Sequence, residues 1–572
     1  MLPNLLATRR GRLAAFFALY MTEGIPLGFA ATAIAFHLRK MGVGPAEIGA
    51  FVGSFYLPWA FKWAFGPLVD VLRSRRFGHR RGWILLTQLV MAATLAGLVL
   101  VELPSQLALF TAVLLVHNTF AAMQDVAIDA LACNSLHEDE RGVANGMMFA
   151  GAAIGQAVGG SGVLFLTAYT GFQPTFFFVA LAILAVTTLV VLPMKEAAVE
   201  ALTPAGAGLR HAAAEMRRFA VESFRAFLGT RGAFAGLGFA LLPSGAMALG
   251  LALRSNLTAE LGFDEAAAAR LELWSNVLAA LAMVGGGWLS DKLGRRRTLF
   301  VYLALMSLPT AWLAWRLQQL GHVMPQPLAP GSAIGAAAAS VLWATTLIYN
   351  IFMGLMYGTR SAIMMDVTDP KVAATQFTAY MAMMNLAIAY SATWQGLAVE
   401  ALGYPATLAL DALLGLACLA LLPLIRPPRA DRPEPADAAA RRARAVAAVL
   451  ALACLAWWPF HWGGDALGAL RKVLETFFTL GFVAAAVMLL AATALLPRRT
   501  LTRAAPWVAL GLLLASLRNF APSVAGGLGL PAADVPGVTG PAVAGVALLA
   551  SALLLALARD PWQGLARRAA PG

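Results

Sequence analysis

Residues 287–297 read GWLSDKLGRRR, in which a glycine precedes an aspartate by four residues and a basic run follows. Residues 66–70 read GPLVD and also lie just before a basic cluster. Two shorter pairs repeat in the same order: Pro26-Leu-Gly28 with Pro243-Ser-Gly245, and Asn118-Thr-Phe120 with Asn350-Ile-Phe352. The members of each pair are separated by about 220 to 230 residues, which is typical of an internal structural repeat. The sequence therefore predicts two related halves.

Both halves are strongly apolar. Of the 572 residues, 60% are hydrophobic and 12% are charged, and the mean hydropathy is +0.73. Soluble domains carry about 25% charged residues. Apolar runs of about 20 residues recur from Leu13 to Leu557, and each is long enough to cross a bilayer as a helix. Because these runs are continuous rather than alternating, we expect an all-α polytopic membrane protein and not a barrel.

The apolar runs and their breakers predict six helices in each half. Those of the first half lie near 13–36, 46–70, 82–101, 107–130, 143–168 and 173–193. Those of the second half lie near 233–254, 269–290, 298–316, 334–357, 373–397 and 405–424. We expect two pseudo-symmetric six-helix bundles, residues 1–194 and 233–425, joined by a cytoplasmic linker at 195–232.

A second cytoplasmic linker, residues 426–444, follows the repeated core. Its proline and charge content favours an extended conformation. Up to four more apolar runs come after it, near 445–460, 473–497, 505–518 and 541–558. We expect residues 445–572 to form a hydrophobic extension outside the repeat.

The formal net charge of +13 comes largely from short basic clusters between the apolar runs. Such clusters mark cytoplasmic loops and favour contact with anionic membrane lipids. A nucleic-acid partner is disfavoured, because a basic groove with interleaved aromatic residues is missing. The main exception to the one-sided charge is Arg39 with Lys40, beside His37, on the opposite face after the first helix.

The Gly-x-x-x-Asp-[Arg/Lys] element with its following arginines resembles the signature loop of the major facilitator superfamily. The second copy is complete, whereas the first has Val71 after Asp70. The pattern predicts a cytoplasmic gate whose contacts break when the two halves rock. Its expected members are Gly66, Asp70, Arg80, Arg81, Gly287, Asp291, Arg295 and Arg296. The alternative is that the arginines only anchor the topology and cap helices.

Four segments of the first half carry a narrower resemblance: Glu23–Phe29, Pro58–Asp70, Arg80–Trp83 and Gln124–Asp129. They look like the peptide and acetyl-coenzyme A transporter branch of the superfamily, which includes the bacterial muropeptide permeases. Residues 374–377 of the second half are similar to the permeases, and the resemblance covers about residues 10–425. It implies proton-coupled import, by alternating access, of a muropeptide-like solute, an anhydro-sugar peptide, across the bacterial inner membrane.

Two alternatives stay open. Within the superfamily, the solute is instead an acyl-coenzyme A or a siderophore. In a different class, the chain is a membrane-embedded transferase acting on lipid-linked substrates.

Among the ionisable residues inside predicted spans, where charge is costly and usually lines a pathway, four carry the most weight: Glu23, Lys62, Asp125 and Asp129. Glu23 lies roughly 15 Å from the cytoplasmic end of the first helix. Asp125 and Asp129 share one face of the fourth helix, and the repulsion between two carboxylates favours holding a proton there. We therefore assign Glu23, Asp125 and Asp129 to proton coupling and Lys62 to attraction of the solute's anionic groups. The alternatives are a structural Glu23–Lys62 pair and pairing of Asp129 with a gate arginine.

Further polar residues of both halves are candidates for contacts with the solute. With Lys62, the expected substrate-binding residues are Gln124, Tyr349, Asn350, Tyr357, Arg360, Gln376, Tyr380 and Asn385. Each is also compatible with a hydrogen bond that packs helices together. The helix breaks at Pro26, Gly28, Pro243 and Gly245 are expected to flex near the site.

Several catalytic patterns do not occur. The sequence has no phosphate-binding ATPase loop, no His-Glu-x-x-His and no Gly-x-Ser-x-Gly motif. The seven histidines are scattered without metal-ligand spacing. We therefore expect a transporter with no catalytic residues, cofactor or metal, which acts as a monomer on a small-molecule solute and is coupled to protons.

Overall fold

The computed structural model describes residues 4–65, 68–69, 78, 80–135, 141–196, 209–328, 332–367, 373–426, 435–468, 470–497, 500–520, 539–562 and 565. Helices dominate these residues. Eleven helical segments among them are long and apolar enough to span a membrane, and Thr502–Leu517 forms a shorter apolar helix. The predicted all-α polytopic fold is confirmed.

The described residues of the first half are mostly α-helical. The helices are α1 (Arg9–Gly28), α2 (Ala35–Lys40), α3 (Pro45–Ala60), α4 (Arg80–Leu98), α5 (Leu107–Ser135), α6 (Arg141–Ala157), α7 (Val163–Thr170) and α8 (Pro174–Val186). A π-helical segment, Phe29–Ile34, makes α1 and α2 one continuous span. The predicted second helix is shorter than expected: α3 ends at Ala60, and a 3-10 turn, Lys62–Phe65, follows.

The second half and the extension are also helical. Their helices are α9 (Leu209–Gly229), α10 (Arg231–Leu241), α11 (Ala252–Glu260), α12 (Glu265–Leu293), α13 (Arg295–Leu320), α14 (Ala333–Asp366), α15 (Ala373–Leu416), α16 (Ala438–Gly463), α17 (Leu470–Leu495), α18 (Thr500–Phe520) and α19 (Thr539–Arg559). Helix α9 lies in the predicted linker. Helix α15 contains two predicted helices, which meet where Gly403 adopts a φ of 79°.

The first span stays helical through its predicted break. Pro26 lies inside α1, and the chain passes into the π-helical segment after Gly28. Glycine is required at Gly28 because a Cβ there would collide with the backbone carbonyl of Gln156 in α6. Small residues let two membrane helices approach in this way. The break therefore serves as a close helix contact between α1 and α6.

The seventh predicted helix is interrupted, as its proline and glycine suggest. Helix α10 ends at Leu241, Leu242 is extended, and Gly245 has a φ of 80°. The Gly245 N–H donates to the Gly415 carbonyl at 3.2 Å. Asp411, 1% exposed, accepts hydrogen bonds from the N–H groups of Met247 and Ala248, each at 2.9 Å. A buried carboxylate thus satisfies the free donors of the interrupted backbone.

The chain divides into two compact units. The first comprises Met1–Met216, Pro243–Ala362 and Met384–Ala417, and the second comprises Arg217–Leu242, Ile363–Met383 and Cys418–Gly572. Within the second unit, the extension packs through buried small residues such as Ala447 and Ala451, and Arg442 donates to the Leu228 carbonyl. These units follow packing, whereas the predicted domains follow the sequence repeat; the predicted domain boundaries stay a prediction.

Candidate functional site

The first unit contains a buried ion pair between Lys62, in the turn after α3, and Asp125 of α5. The Lys62 ammonium donates to Asp125 Oδ2 at 2.7 Å, and the side chains are 13% and 5% exposed. Asp125, assigned to proton coupling from its sequence position, therefore has a cationic partner. The ion pair that Lys62 makes is with Asp125, not the Glu23 pair considered from the sequence. Helix α5 packs against α3 near this pair, because the Trp59 indole N–H of α3 donates to Asn118 Oδ1 at 3.0 Å. Asn118 precedes Asp125 by about two helical turns, so both lie on the same face of α5.

Glu23 and Asp129 complete an acid cluster, which we define as Glu23, Lys62, Asp125 and Asp129. Glu23 is 8% exposed, and its Oε1 has no hydrogen-bond partner among the described residues. Its carboxyl group is close enough to Asp125 for a hydrogen bond between the side chains. Asp129 accepts a hydrogen bond from the Tyr20 hydroxyl at 2.5 Å. The structure therefore brings together all three predicted acids and the predicted lysine.

Gln124 is adjacent to this cluster and is fully buried. Its Nε2 donates to the Thr22 hydroxyl of α1 at 2.8 Å. Its Oε1 is buried without a hydrogen-bond partner in the part of the chain that the structure describes. Gln124 thus bridges α1 and α5 and keeps one acceptor available.

Four predicted solute contacts lie along α14, and their environments differ. Asn350 donates to the Thr346 carbonyl of its own helix at 2.8 Å, a structural hydrogen bond rather than a solute contact. Tyr349 is 2% exposed and lies close to Gly250. The Arg360 guanidinium lies over the ring of Tyr357, 4.6 Å from its centroid.

Arg254 of α11 and Glu272 of α12 form a second buried ion pair that the sequence analysis missed. The pair lies near the α14 residues, because Tyr349 is within electrostatic reach of Arg254, Tyr357 and Arg360. We define the basic cluster as Arg254, Glu272, Tyr357 and Arg360. Arg254 falls inside a predicted membrane span, and that position is the signal that identifies it.

The remaining predicted contacts lie on α15. Gln376 donates to the Tyr380 hydroxyl at 3.1 Å, and Tyr380 donates to the Ala233 carbonyl at 3.0 Å; these three residues belong to the second unit. Asn385 is partly buried and belongs to the first unit. The solute-binding role of all three side chains on α15 stays a prediction.

The predicted cytoplasmic gate is only partly described. Gly66 and Asp70 lie outside the described residues. The backbone of Gly287 and Asp291 belongs to α12, but the surroundings of Gly287 and the side chain of Asp291 lie outside what the structure describes. Arg81 donates from Nε to the Val191 carbonyl at 2.9 Å and from its other nitrogen to the Leu192 carbonyl at 2.5 Å. These contacts cap the end of the sixth predicted helix.

The other gate arginines lie at helix starts. Arg80 donates from its side chain to the Val69 carbonyl at 3.1 Å and from its N–H to Glu196 at 3.1 Å. Arg295 and Arg296 open α13, and Arg296 is exposed. A gating role for these residues stays a prediction.

A network at the opposite end of the spans explains the exceptional Arg39. Its Nε donates to Glu260 Oε1 at 2.7 Å, with side-chain exposures of 7% and 0%. The Tyr404 hydroxyl donates to the same oxygen at 2.5 Å, and His322 Nε2 lies 3.4 Å from Glu260 Oε2. Lys40 pairs with Glu265 at 3.2 Å nearer the surface. The network joins the end of the first span to the end of α11.

Helices long and apolar enough to span a membrane, together with an interrupted helix and buried ion pairs, are typical of a multi-pass secondary transporter for a small-molecule solute. Comparison with protein families places the chain more narrowly. The family model of the Major Facilitator Superfamily matches residues 13–324, and the chain belongs to this superfamily.

Several known proteins are similar to the chain. An uncharacterized protein of Haemophilus influenzae is 24% identical over 413 residues, covering 70% of this chain and 91% of the relative. The anhydromuropeptide permease of Escherichia coli is 29% identical over 172 residues, 30% of this chain and 34% of the permease, so the match spans about a third of that relative. A POT family transporter, solved in complex with 5-aminolevulinic acid, covers 72% of this chain and 95% of its own at a TM-score of 0.53. At 11% identity, that likeness shows the fold alone.

Proposed function

We propose that this chain is a proton-coupled importer of a muropeptide-like solute, an anhydro-sugar peptide, in a bacterial inner membrane. The similarity to the anhydromuropeptide permease supports the solute class. The observation that carries the coupling is the buried Lys62–Asp125 pair with Glu23 beside it.

The pair suggests how solute and proton exchange. A muropeptide carries carboxylate groups, and such a group competes with Asp125 for the Lys62 ammonium. Asp125 released from Lys62 would be an unpaired buried carboxylate, which is costly unless it takes up a proton. Solute binding therefore favours proton binding at the same cluster, and release of both restores the ion pair.

Glu23 supplies a second carboxyl group for that proton. Two carboxyl groups within hydrogen-bond reach share a proton readily, because one donates and the other accepts. Since Glu23 lies on α1 and Asp125 on α5, a change in the packing of these helices would alter the sharing. This links the protonation state to the helix movements of alternating access.

The Arg39–Glu260 network supports a gate on the face opposite the basic loops. Its residues come from the first span, α11 and α15, which a rocking motion would separate. A conformation held closed at that end by these contacts would release the solute at the cytoplasmic end. We assign the network to stabilising this conformation.

The test uses the purified full chain in sealed vesicles with an imposed pH gradient. We expect anhydromuropeptide to accumulate with the gradient, and its addition to drive proton uptake. Asp125→Asn should abolish both effects, whereas Glu265→Gln, at the exposed Lys40 pair, should retain them. Accumulation of an acyl-coenzyme A or a siderophore in place of the muropeptide would overturn the solute assignment. Muropeptide accumulation that ignores the gradient would overturn the coupling.

A further inference from the structure

Arg360 of α14 is a buried cation that the proposed coupling leaves unused. It is 4% exposed, and its Nε is buried without a hydrogen-bond partner among the described residues. The described ion pairs include Lys62–Asp125 and Arg254–Glu272, but none to Arg360. Arginine stays charged in proteins, so this guanidinium has lost hydration without gaining a described carboxylate.

The described surroundings of Arg360 are aromatic and do not balance its positive charge. The guanidinium lies over the Tyr357 ring, and a ring face attracts a cation without neutralising it. Arg254, the other arginine of the basic cluster, is already neutralised by Glu272. Tyr349 lies within electrostatic reach of both arginines and of Asp411, whose carboxylate is engaged by hydrogen bonds from Met247, Ala248 and Gln395. The basic cluster therefore holds one positive charge more than its described carboxylate balances.

We propose that Arg360 is an anion-binding position, which takes a carboxylate group of the transported solute separate from the one that binds Lys62. The identity of the solute rests on the proposed function; the anion site rests on the geometry of Arg360. The planar guanidinium suits a carboxylate because it can donate two parallel hydrogen bonds. Tyr357 holds the guanidinium plane from the other side. A solute with two separated carboxylates would then engage both clusters.

The first experiment asks whether Arg360 has a structural partner, and it needs no solute. Arg360→Met should leave the melting temperature of the purified chain unchanged or raise it, because an unbalanced buried charge is removed. Arg254→Met is the matched control and should lower it, since the change strands Glu272. A fall for Arg360→Met as large as that for Arg254→Met would overturn the proposal.

The second experiment measures binding of an anhydromuropeptide with two free carboxylates and of the same compound with one carboxylate amidated. Wild type should bind the first at least tenfold more tightly, and Arg360→Met should reduce this difference to less than twofold. Arg360→Lys, which keeps the charge but loses the planar fork, should fall between them. Equal discrimination in wild type and Arg360→Met would sink the proposal. If wild type binds neither compound, the proposed function fails, and the melting temperatures alone decide the anion site.

Discussion

The acid cluster and the basic cluster belong to the same compact unit, yet their charge balances are opposite. Three carboxyl groups surround one ammonium in the acid cluster, and Lys62 is committed to Asp125. In the basic cluster Glu272 pairs with Arg254, and Arg360 has no ion pair among the described residues. The excess of carboxyl groups in the acid cluster favours binding of a proton, and the excess positive charge of the basic cluster favours binding of an anion.

The sequence repeat makes this contrast informative. Asp125 and Tyr357 each follow a repeated asparagine, Asn118 or Asn350, by about two helical turns. Equivalent positions thus carry a carboxylate in one half and an aromatic ring that supports an arginine in the other. Since the two halves share their architecture, the helical scaffold does not require either charge. The difference between the clusters is therefore best explained by transport.

The largest expected effect is at the ion pair of the acid cluster. Asp125→Asn leaves the Lys62 ammonium buried without its carboxylate, which should lower the free energy of unfolding by about 3–5 kcal/mol. The double variant Lys62→Met with Asp125→Asn removes both charges and should recover most of that loss. Denaturation of the purified chain measures both values. A single variant as stable as the double would mean that the pair contributes little.

Glu23→Gln should separate coupling from stability. The amide resembles the protonated carboxyl group, so binding should persist while accumulation driven by the pH gradient is lost. Because Glu23 is not the ion partner of Lys62, the melting temperature should change less than for Asp125→Asn. A well-folded Glu23→Gln protein that still accumulates solute would move the coupling assignment to Asp125.

Glu272→Gln should make the basic cluster more positive. It leaves the Arg254 guanidinium without its carboxylate, and because a guanidinium is more weakly hydrated than an ammonium, the free energy of unfolding should fall by about 3 kcal/mol, the lower end of the range for Asp125→Asn. Binding of a dicarboxylate muropeptide should tighten by about 1 kcal/mol, because the site gains a net charge. Binding measured at low and at high salt checks the electrostatic origin. If Glu272→Gln bound the muropeptide more weakly than wild type at low salt, Glu272 itself would contact the solute.

The smallest effect is expected at the exposed Lys40–Glu265 pair, whose side chains are 36% and 32% exposed. Glu265→Gln should change the free energy of unfolding by less than about 1 kcal/mol, because water screens exposed charges. It provides the baseline for the buried variants. If Glu265→Gln lowered the free energy of unfolding as much as Asp125→Asn, burial would not explain why the buried ion pairs contribute more to stability than the exposed one.

Hydropathy and residue pattern were sufficient to predict the helical membrane fold and the interruption of the seventh helix. Hydropathy and helix length are local properties that a bilayer imposes on each span separately. Pro243 and Gly245 are likewise local signals, because one lacks a backbone donor and the other permits a positive φ. The two-copy pattern also pointed to the superfamily that the family comparison confirmed.

Which charges form ion pairs depends on how the helices pack in three dimensions. From the sequence, Lys62 could pair with Glu23 or with Asp125. It pairs with Asp125 because α3 packs against α5. No sequence pattern predicts that Glu260 of the second half pairs with Arg39 of the first half. Periodicity places a side chain on a face of its own helix, but its partner depends on how closely and at what rotation another helix packs. Those quantities are set by contacts such as Gly28 against Gln156, which join residues far apart in the chain.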